Sequence, residues 1–586
     1  MKQPDSTRTP VKSRSIAQVS GLSNTRASSV HIVSEKCDFV VAAGRRVHYR
    51  RYGAGPPMIM MHASPLSSKS MRGAMQVFGQ HFTCFALDNP GFGLSEPLPI
   101  GQGDMAAHAD ALKDTIDALE LEHPVVYGAS TGAAIAHAFG CKYPTASALC
   151  MLDTFSHYDT DDTLEGYFPD VIPRRDGGHL LASWEKISGL YLFSPWQKAE
   201  PSRRQVRDFP EPAMLHDMVL QLLCAGTDYK QLYAGAIAWE DAANVDRLSA
   251  PATLNVWESA SGLARVQMLI DRGLPENYVP IYSDAAGGRY ANQLNYLVEQ
   301  SFCNAPPVPA HTTAVSAGED YEPLYIETSQ GTLFAKAANG MGCRPIVFLH
   351  DWGGSAQVFQ SIATALATRH PVLAMDLPGH GDSPMQAGSV DELVPRTVTA
   401  VGEAISQLGF EGVDVIGIGA GLLLGNRLKE SFPALVNRVV CLATAPVITE
   451  LSEFEALSEA ALSFDPDISG AHLIRAFSVA RQQDLFWTWW RRTKATTLAR
   501  AEPLDPVRIH GRAIDLLKSG NAYSEFHRAT YSINGEAETS LCLVPNWQSG
   551  NGPVSDQLPE WLRKEICPLP DDSAKWGQSI SAALAN

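Results

Sequence analysis

The chain repeats itself at the scale of a whole domain. His62 closes the apolar run MIMM and opens HASPLSS; His350 closes IVFL and opens HDWGGS, 288 residues later. Asp88 opens DNPGFGLS and Asp376 opens DLPGHGDS, again 288 apart. YGASTGAAIAH carries Ser130 where IGIGAGLLLGN carries Gly419, at a separation of 289. His179 in DGGHLLASW answers to His472 in SGAHLIRAF at 293, and His216 to His510 at 294. PATLNVWESAS and TSLCLVPNWQS end on Ser261 and Ser549, back at 288. So many features at a near-constant offset mark a tandem duplication with small insertions in the second copy.

Each copy alternates short apolar, β-branched runs with amphipathic helical segments. In the first these runs include PMIMMH, FTCFALD, PVVYGAS, ALCMLD and ATLNVWE. That alternation predicts an α/β class, with mostly parallel strands, helices on both faces and right-handed crossovers. It stops between Asp153 and about Arg247, where a helical insert would cap the carboxyl ends of the strands, the place ligands bind in open α/β sheets. The organisation expected is a basic, Ser/Thr-rich tail over 1–35, one domain over 36–302 with its cap at about 154–247, a Pro/Ala/Thr linker over 303–320, and a second domain over 321–586 with its cap at about 447–536.

The formal charge of −17 argues against a nucleic-acid partner, which needs a basic footprint. No apolar run approaches the roughly 18 residues of a membrane span. The ten cysteines form no CxxC pair, and Cys84, Cys150, Cys441 and Cys542 lie in apolar runs as buried thiols of a reducing compartment. A cytoplasmic location is expected, the alternative being an organelle if the acid-poor tail is a transit peptide. No cofactor is expected: there is no P-loop and no dinucleotide fingerprint after a first strand.

Four features occur together in each copy: the strand ending in His62 or His350, the D-x-P-G-x-G-x-S turn, the strand-turn-helix at Ser130 or Gly419, and the helical cap. In these both copies resemble α/β-hydrolase fold domains of the esterase, epoxide hydrolase and meta-cleavage hydrolase type. The resemblance implies two consecutive α/β-hydrolase domains. It makes Ser130 a nucleophile on a tight elbow between Gly128 and Gly132, with the backbone N–H groups of Ala63 and Thr131 as an oxyanion hole. The family's usual acid slot reads Ser261, with Glu258 three residues before it. The alternative slot, after the strand that follows the elbow helix, reads Asp153, the candidate acid. The family's histidine slot reads Gly288 in the first copy and Trp576 in the second. The candidate bases are then the cap histidines His179 and His216, with His157 and His62 as further options; equally, the cap histidines hold cap helices together. His62 and His350 are expected to orient the oxyanion loop.

The second copy lacks serine at Gly419 and reads as a domain kept for shape, its small residues letting strand and helix approach. Aromatic clusters in the caps (Trp184, Tyr191, Phe193 and Trp196; Phe477, Phe486, Trp487, Trp489 and Trp490) are either core or the lining of an apolar acyl pocket. The function expected is hydrolysis of an ester, thioester or related carbonyl compound through Ser130. The alternatives are a lyase or isomerase on the same scaffold, or a pseudoenzyme that binds or scaffolds. The partners expected are a small-molecule substrate with an apolar or aromatic acyl group and the chain's own second domain, with self-association of whole chains left open.

Overall fold

Strand-forming apolar runs set the architecture. The computed structural model describes residues 35–585 except 100, 102, 156–164, 228, 240–241, 258–261, 284–287, 310–316, 341, 386–387, 447, 449, 461–462, 500–502, 532–540 and 550–551. The tail, and with it the transit-peptide reading, therefore lies outside the described residues, as do His157, Glu258 and Ser261.

The first sheet comprises β1 (Lys36–Ala42), β2 (Arg45–Tyr52), β3 (Pro57–Met61), β4 (Thr83–Leu87), β5 (Val125–Ala129), β6 (Leu149–Asp153), β7 (Ala252–Trp257) and β8 (Tyr278–Ser283). Their spatial order is β1-β2-β4-β3-β5-β6-β7-β8. β1 and β2 form an antiparallel hairpin across Ala43 and Gly44, both at positive φ as a tight hairpin turn requires. From β4 to β8 every pairing is parallel.

β3 to β6 are buried at every position, because helices cover both faces. Successive residues still face opposite ways. Met58, Met60, Tyr127 and Met151 join Phe78, Phe82 and Leu297 in one cluster, while Ile59, Met61, Val126 and Leu152 join the elbow helix in another.

The second sheet repeats this order strand for strand, from Glu322–Thr328 to Ile566–Leu569. It adds a small three-stranded ribbon built from Leu498–Ala499, Gln548–Ser549 and Gly552–Pro553. Glu35 to Asn586 is one unit, and a single apolar cluster runs through both copies.

The copies meet cap to cap. The helix Gly178–Leu192 packs on its repeat, Ala471–Leu485. Each helix is preceded by a glycine in the left-handed region, Gly177 and Gly470. A Cβ on Gly470 would lie 2.7 Å from the Trp184 ring, and one on Gly177 would lie 2.9 Å from Phe477. Trp184 and Phe477 are themselves repeat equivalents, so the interface is self-complementary in the manner of a two-fold dimer fused into one chain. At the sheet edges Arg46 pairs with Glu322 at 3.2 Å, and the Tyr325 ring stacks on Phe39.

Candidate active site

β5 ends at Ala129 and the helix Thr131–Lys142 begins two residues later, so Ser130 alone must reverse the chain. It does so at φ 52°, ψ −117°, a conformation that strains any residue with a Cβ. The flanks have no room for side chains: a Cβ on Gly128 would sit 2.2 Å from the Gly132 carbonyl oxygen, and one on Gly132 would sit 2.4 Å from that of Met61. The Ser130 N–H donates to the Asp153 carbonyl oxygen at 2.8 Å and to Thr154 Oγ1 at 2.9 Å. The Thr131 hydroxyl accepts from the Ser64 N–H at 2.8 Å, which ties the elbow to the loop after β3. The loop that carries Ala63 is thus held against the first residue of the elbow helix, Thr131. Among the described residues, the Ser130 hydroxyl forms no hydrogen bond.

Asp153 ends β6 with its side chain buried. Tyr127 Oη donates to Asp153 Oδ2, Asn255 Nδ2 donates to Oδ1 at 3.0 Å, and Arg289 Nε lies 3.6 Å from Oδ2. Arg289 directly follows Gly288, the residue at the family's histidine slot, and opens the helix Arg289–Glu299. A guanidinium therefore faces the acid where the family pattern places an imidazole. Arg289 stays protonated and cannot take a proton from serine. Tyr127, Asn255 and Arg289 escaped the sequence reading. The one signal for them was an arginine beside the empty slot.

The cap histidines are not bases for Ser130. His179 Nδ1 accepts from the Arg174 N–H at 3.2 Å, so its proton sits on Nε2, which donates to His510 Nδ1 at 2.9 Å. The duplication repeats the arrangement: His472 Nδ1 accepts from the Asp467 N–H at 3.2 Å, and Nε2 donates to His216 Nδ1 at 3.0 Å. Both contacts join one copy to the other. Burial lowers the pKa of all four rings, to about 4 for His472 and His510, each further opposed by its partner ring. They are neutral pins of the cap interface, which is why they persist in a copy without a serine.

His62 is likewise committed. Its Nδ1 donates to the Ala63 carbonyl oxygen at 3.0 Å, and Nε2 accepts from the Asn89 N–H at 2.9 Å. His350 does the same with Asp351 at 2.7 Å and Leu377 at 2.9 Å. Each ring staples the loop after its third strand to the loop after its fourth.

The second elbow keeps the backbone of the first, with Gly419 at φ 52°, ψ −119°. The space of a side chain is filled from elsewhere. A Cβ on Gly419 would lie 2.4 Å from Asp351 Cγ. Asp351 occupies the repeat position of Ala63, and its Oδ1 accepts from the Ala420 N–H, the counterpart of Thr131, at 2.9 Å. The Asp351 carboxylate thus fills the space that a side chain at Gly419 would take. Its pKa is pushed up to about 6 by burial, against the backbone N–H bonds from Ala420 and Trp352 that favour the charge.

Over this elbow lies a cavity of about 140 Å³, lined by Asp351 and by Trp352, Phe486, Trp487, Trp489 and Tyr523 among others. In the first cap Tyr167 and Trp196, the latter the counterpart of Trp489, close on Lys186, whose Nζ lies 3.7 Å from the Tyr167 ring centroid and 5.3 Å from that of Trp196. Among the described residues, no three His, Cys, Asp or Glu side chains gather as a metal site, and no helix is long and apolar enough to cross a membrane.

A family model described as alpha/beta hydrolase fold matches residues 56–236, and one described as alpha/beta hydrolase family matches 346–548. The chain belongs to the α/β-hydrolase family. It is a tandem pair of such domains, as its two like-ordered sheets require. Among curated relatives it is 30% identical over 118 residues to a pimeloyl-[acyl-carrier protein] methyl ester esterase of Aeromonas hydrophila, spanning 20% of this chain and 44% of that protein. It is 26% identical over 134 residues to a serine hydrolase-like protein of Homo sapiens, spanning 23% of this chain and 66% of that one. The chain thus matches about half to two thirds of these relatives' own length. An esterase structure from Exiguobacterium antarcticum aligns with 46% of this α/β-hydrolase chain and 99% of its own, at 15% identity and a TM-score of 0.35.

Proposed function

We propose that this α/β-hydrolase chain is an enzyme acting on an ester, thioester or related carbonyl substrate through Ser130, with the second copy outside acyl-transfer chemistry. The observation that carries the reading is the strained serine. Holding a residue with a Cβ at positive φ costs on the order of 1–3 kcal/mol, and Gly419 stands at the same conformation in the other copy, where glycine relieves it. A serine kept under strain at a helix N-terminus is accounted for by use of its hydroxyl. The name of the Aeromonas relative, a methyl ester esterase, points the same way.

In the reaction proposed, Ser130 Oγ bonds to the carbonyl carbon while the Ala63 and Thr131 N–H groups hold the oxyanion. The C–O or C–S bond to the leaving group breaks, and the serine proton ends on the departing alcohol or thiol. Water then releases the acid and restores the serine. With no side-chain base hydrogen-bonded to Ser130 among the described residues, the 10²–10⁴-fold contribution of general-base assistance is reduced. The preferred substrates are therefore those with good leaving groups, thioesters and aryl esters.

A second reading, a non-hydrolytic or ligand-binding role, is favoured by the same uncommitted hydroxyl and by the Arg289–Asp153 pair at the histidine slot. Steady-state hydrolysis of p-nitrophenyl esters and acyl thioesters separates the two. Turnover abolished by Ser130→Ala supports the hydrolase; turnover unchanged in that variant, or absent altogether, supports the second reading.

A further inference from the structure

Asp351 is a half-buried carboxylate on the cavity wall whose counter-charge is missing. No Lys, Arg or His nitrogen lies within ion-pair distance of it among the described residues. Two backbone N–H groups are its donors, and burial opposes its charge. The other charged groups on the cavity wall do not neutralise it. Arg512 is bound to Asp484, and Asp515 is a second acid whose pKa burial lifts to about 7. Burying an uncompensated charge is costly, and a cation in contact with it removes that cost.

The two copies differ at one telling position. In the first cap, the Lys186 ammonium is buried in a cage formed by Tyr167, Trp196 and, at 5.9 Å, Tyr229. Its Nζ also donates to the Tyr167 carbonyl oxygen at 3.1 Å, and burial lowers its pKa to about 7. The helices Gly178–Leu192 and Ala471–Leu485 correspond residue for residue, which puts Val479 at the place of Lys186. Trp489 and Tyr523, the counterparts of Trp196 and Tyr229, line the second copy's cavity. The second copy therefore keeps the counterparts of Trp196 and Tyr229 but not of Tyr167, has no lysine at that helix position, and has a carboxylate, Asp351, on the cavity wall. The indole N–H of Trp352 is satisfied by Thr530 at 2.7 Å, so it presents its ring rather than a donor to the cavity.

We infer that the second domain binds a small organic ammonium ion, its charge on Asp351 and its body among Trp352, Trp489 and Tyr523. Aromatic faces attract cations, and a carboxylate at the floor fixes the charged end. An apolar cavity of about 150 Å³ holds benzene, so the space of about 140 Å³ here limits the guest's body to single-ring size, with the ammonium reaching Asp351. This site is independent of Ser130 and of its chemistry.

The test is titration of the full chain with benzylamine at pH 7.5, followed by calorimetry and tryptophan fluorescence, with toluene as the uncharged ring. Saturable benzylammonium binding, weakened at least tenfold in Asp351→Asn, is the expected result, with toluene binding changed less than twofold by that substitution. Circular dichroism shows whether the variant is folded. No saturable binding to the wild-type chain, or equal binding to wild type and folded Asp351→Asn, overturns the inference.

Discussion

His179 Nε2 lies 2.9 Å from His510 Nδ1, and the duplication repeats the contact between His472 and His216 at 3.0 Å. In each pair one ring accepts at Nδ1, and the donor ring accepts a backbone N–H at its own Nδ1, so both rings are neutral. All four pKa values are depressed below the ordinary 6.5, two of them to about 4. The stability the pairs contribute is therefore full above pH 6.5 and is lost as pH falls towards 4, where the unfolded chain binds more protons. The double substitution His216→Asn, His510→Asn keeps an acceptor at each Nδ1 position and removes two titrating groups. Urea unfolding from pH 7.5 to 4.5 should show a shallower loss of stability for the double variant than for the wild type.

Gly419→Ser should not restore an active elbow. The new Cβ meets Asp351 Cγ at 2.4 Å and takes a positive φ, and the two effects together should cost about 2–4 kcal/mol. Adding Asp351→Ala removes the collision. A double-mutant cycle by urea unfolding should give a coupling of at least about 1 kcal/mol between the two sites.

Ser130→Gly should make the chain more stable while ending its chemistry. Release of the strain at φ 52° outweighs the extra freedom glycine brings to the unfolded chain, for a net gain of about 1 kcal/mol. Chemical denaturation checks the first effect and ester turnover the second.

Arg289→Met should destabilise by about 1–3 kcal/mol, because it leaves the buried Asp153 carboxylate with only its Tyr127 and Asn255 donors. Asn255→Leu, which removes a neutral donor from the same carboxylate, should cost less. Thermal and urea unfolding of the two variants rank them.

The duplicated α/β frame was legible because apolar runs and turn motifs recur at fixed offsets, and a fold is a repeatable pattern. The elbow was legible because its glycines are required by backbone contact. The partners of the cap histidines were not, since an interface between two copies leaves no spacing in the chain; the persistence of His472 and His510 beside a missing serine was the clue to a structural role. Asp351 carries no signal in HDWGGS that would set it apart from the loop around it. Two changes between the copies, alanine to aspartate at Ala63/Asp351 and serine to glycine at Ser130/Gly419, are one event in space: a side chain crossed from one loop to the other. Arg289 was not legible because a guanidinium one residue beyond the slot matches no hydrolase pattern for an imidazole.

Ser130 is proposed as a reactive nucleophile and the second elbow as an inert one. The direct measurement is intact-mass analysis of the full chain after fluorophosphonate treatment, with peptide mapping and Ser130→Ala alongside. The account predicts one adduct per chain, located on Ser130 and absent from the variant. An unmodified chain under conditions that label an ordinary serine esterase, or an adduct that survives in Ser130→Ala, would contradict it.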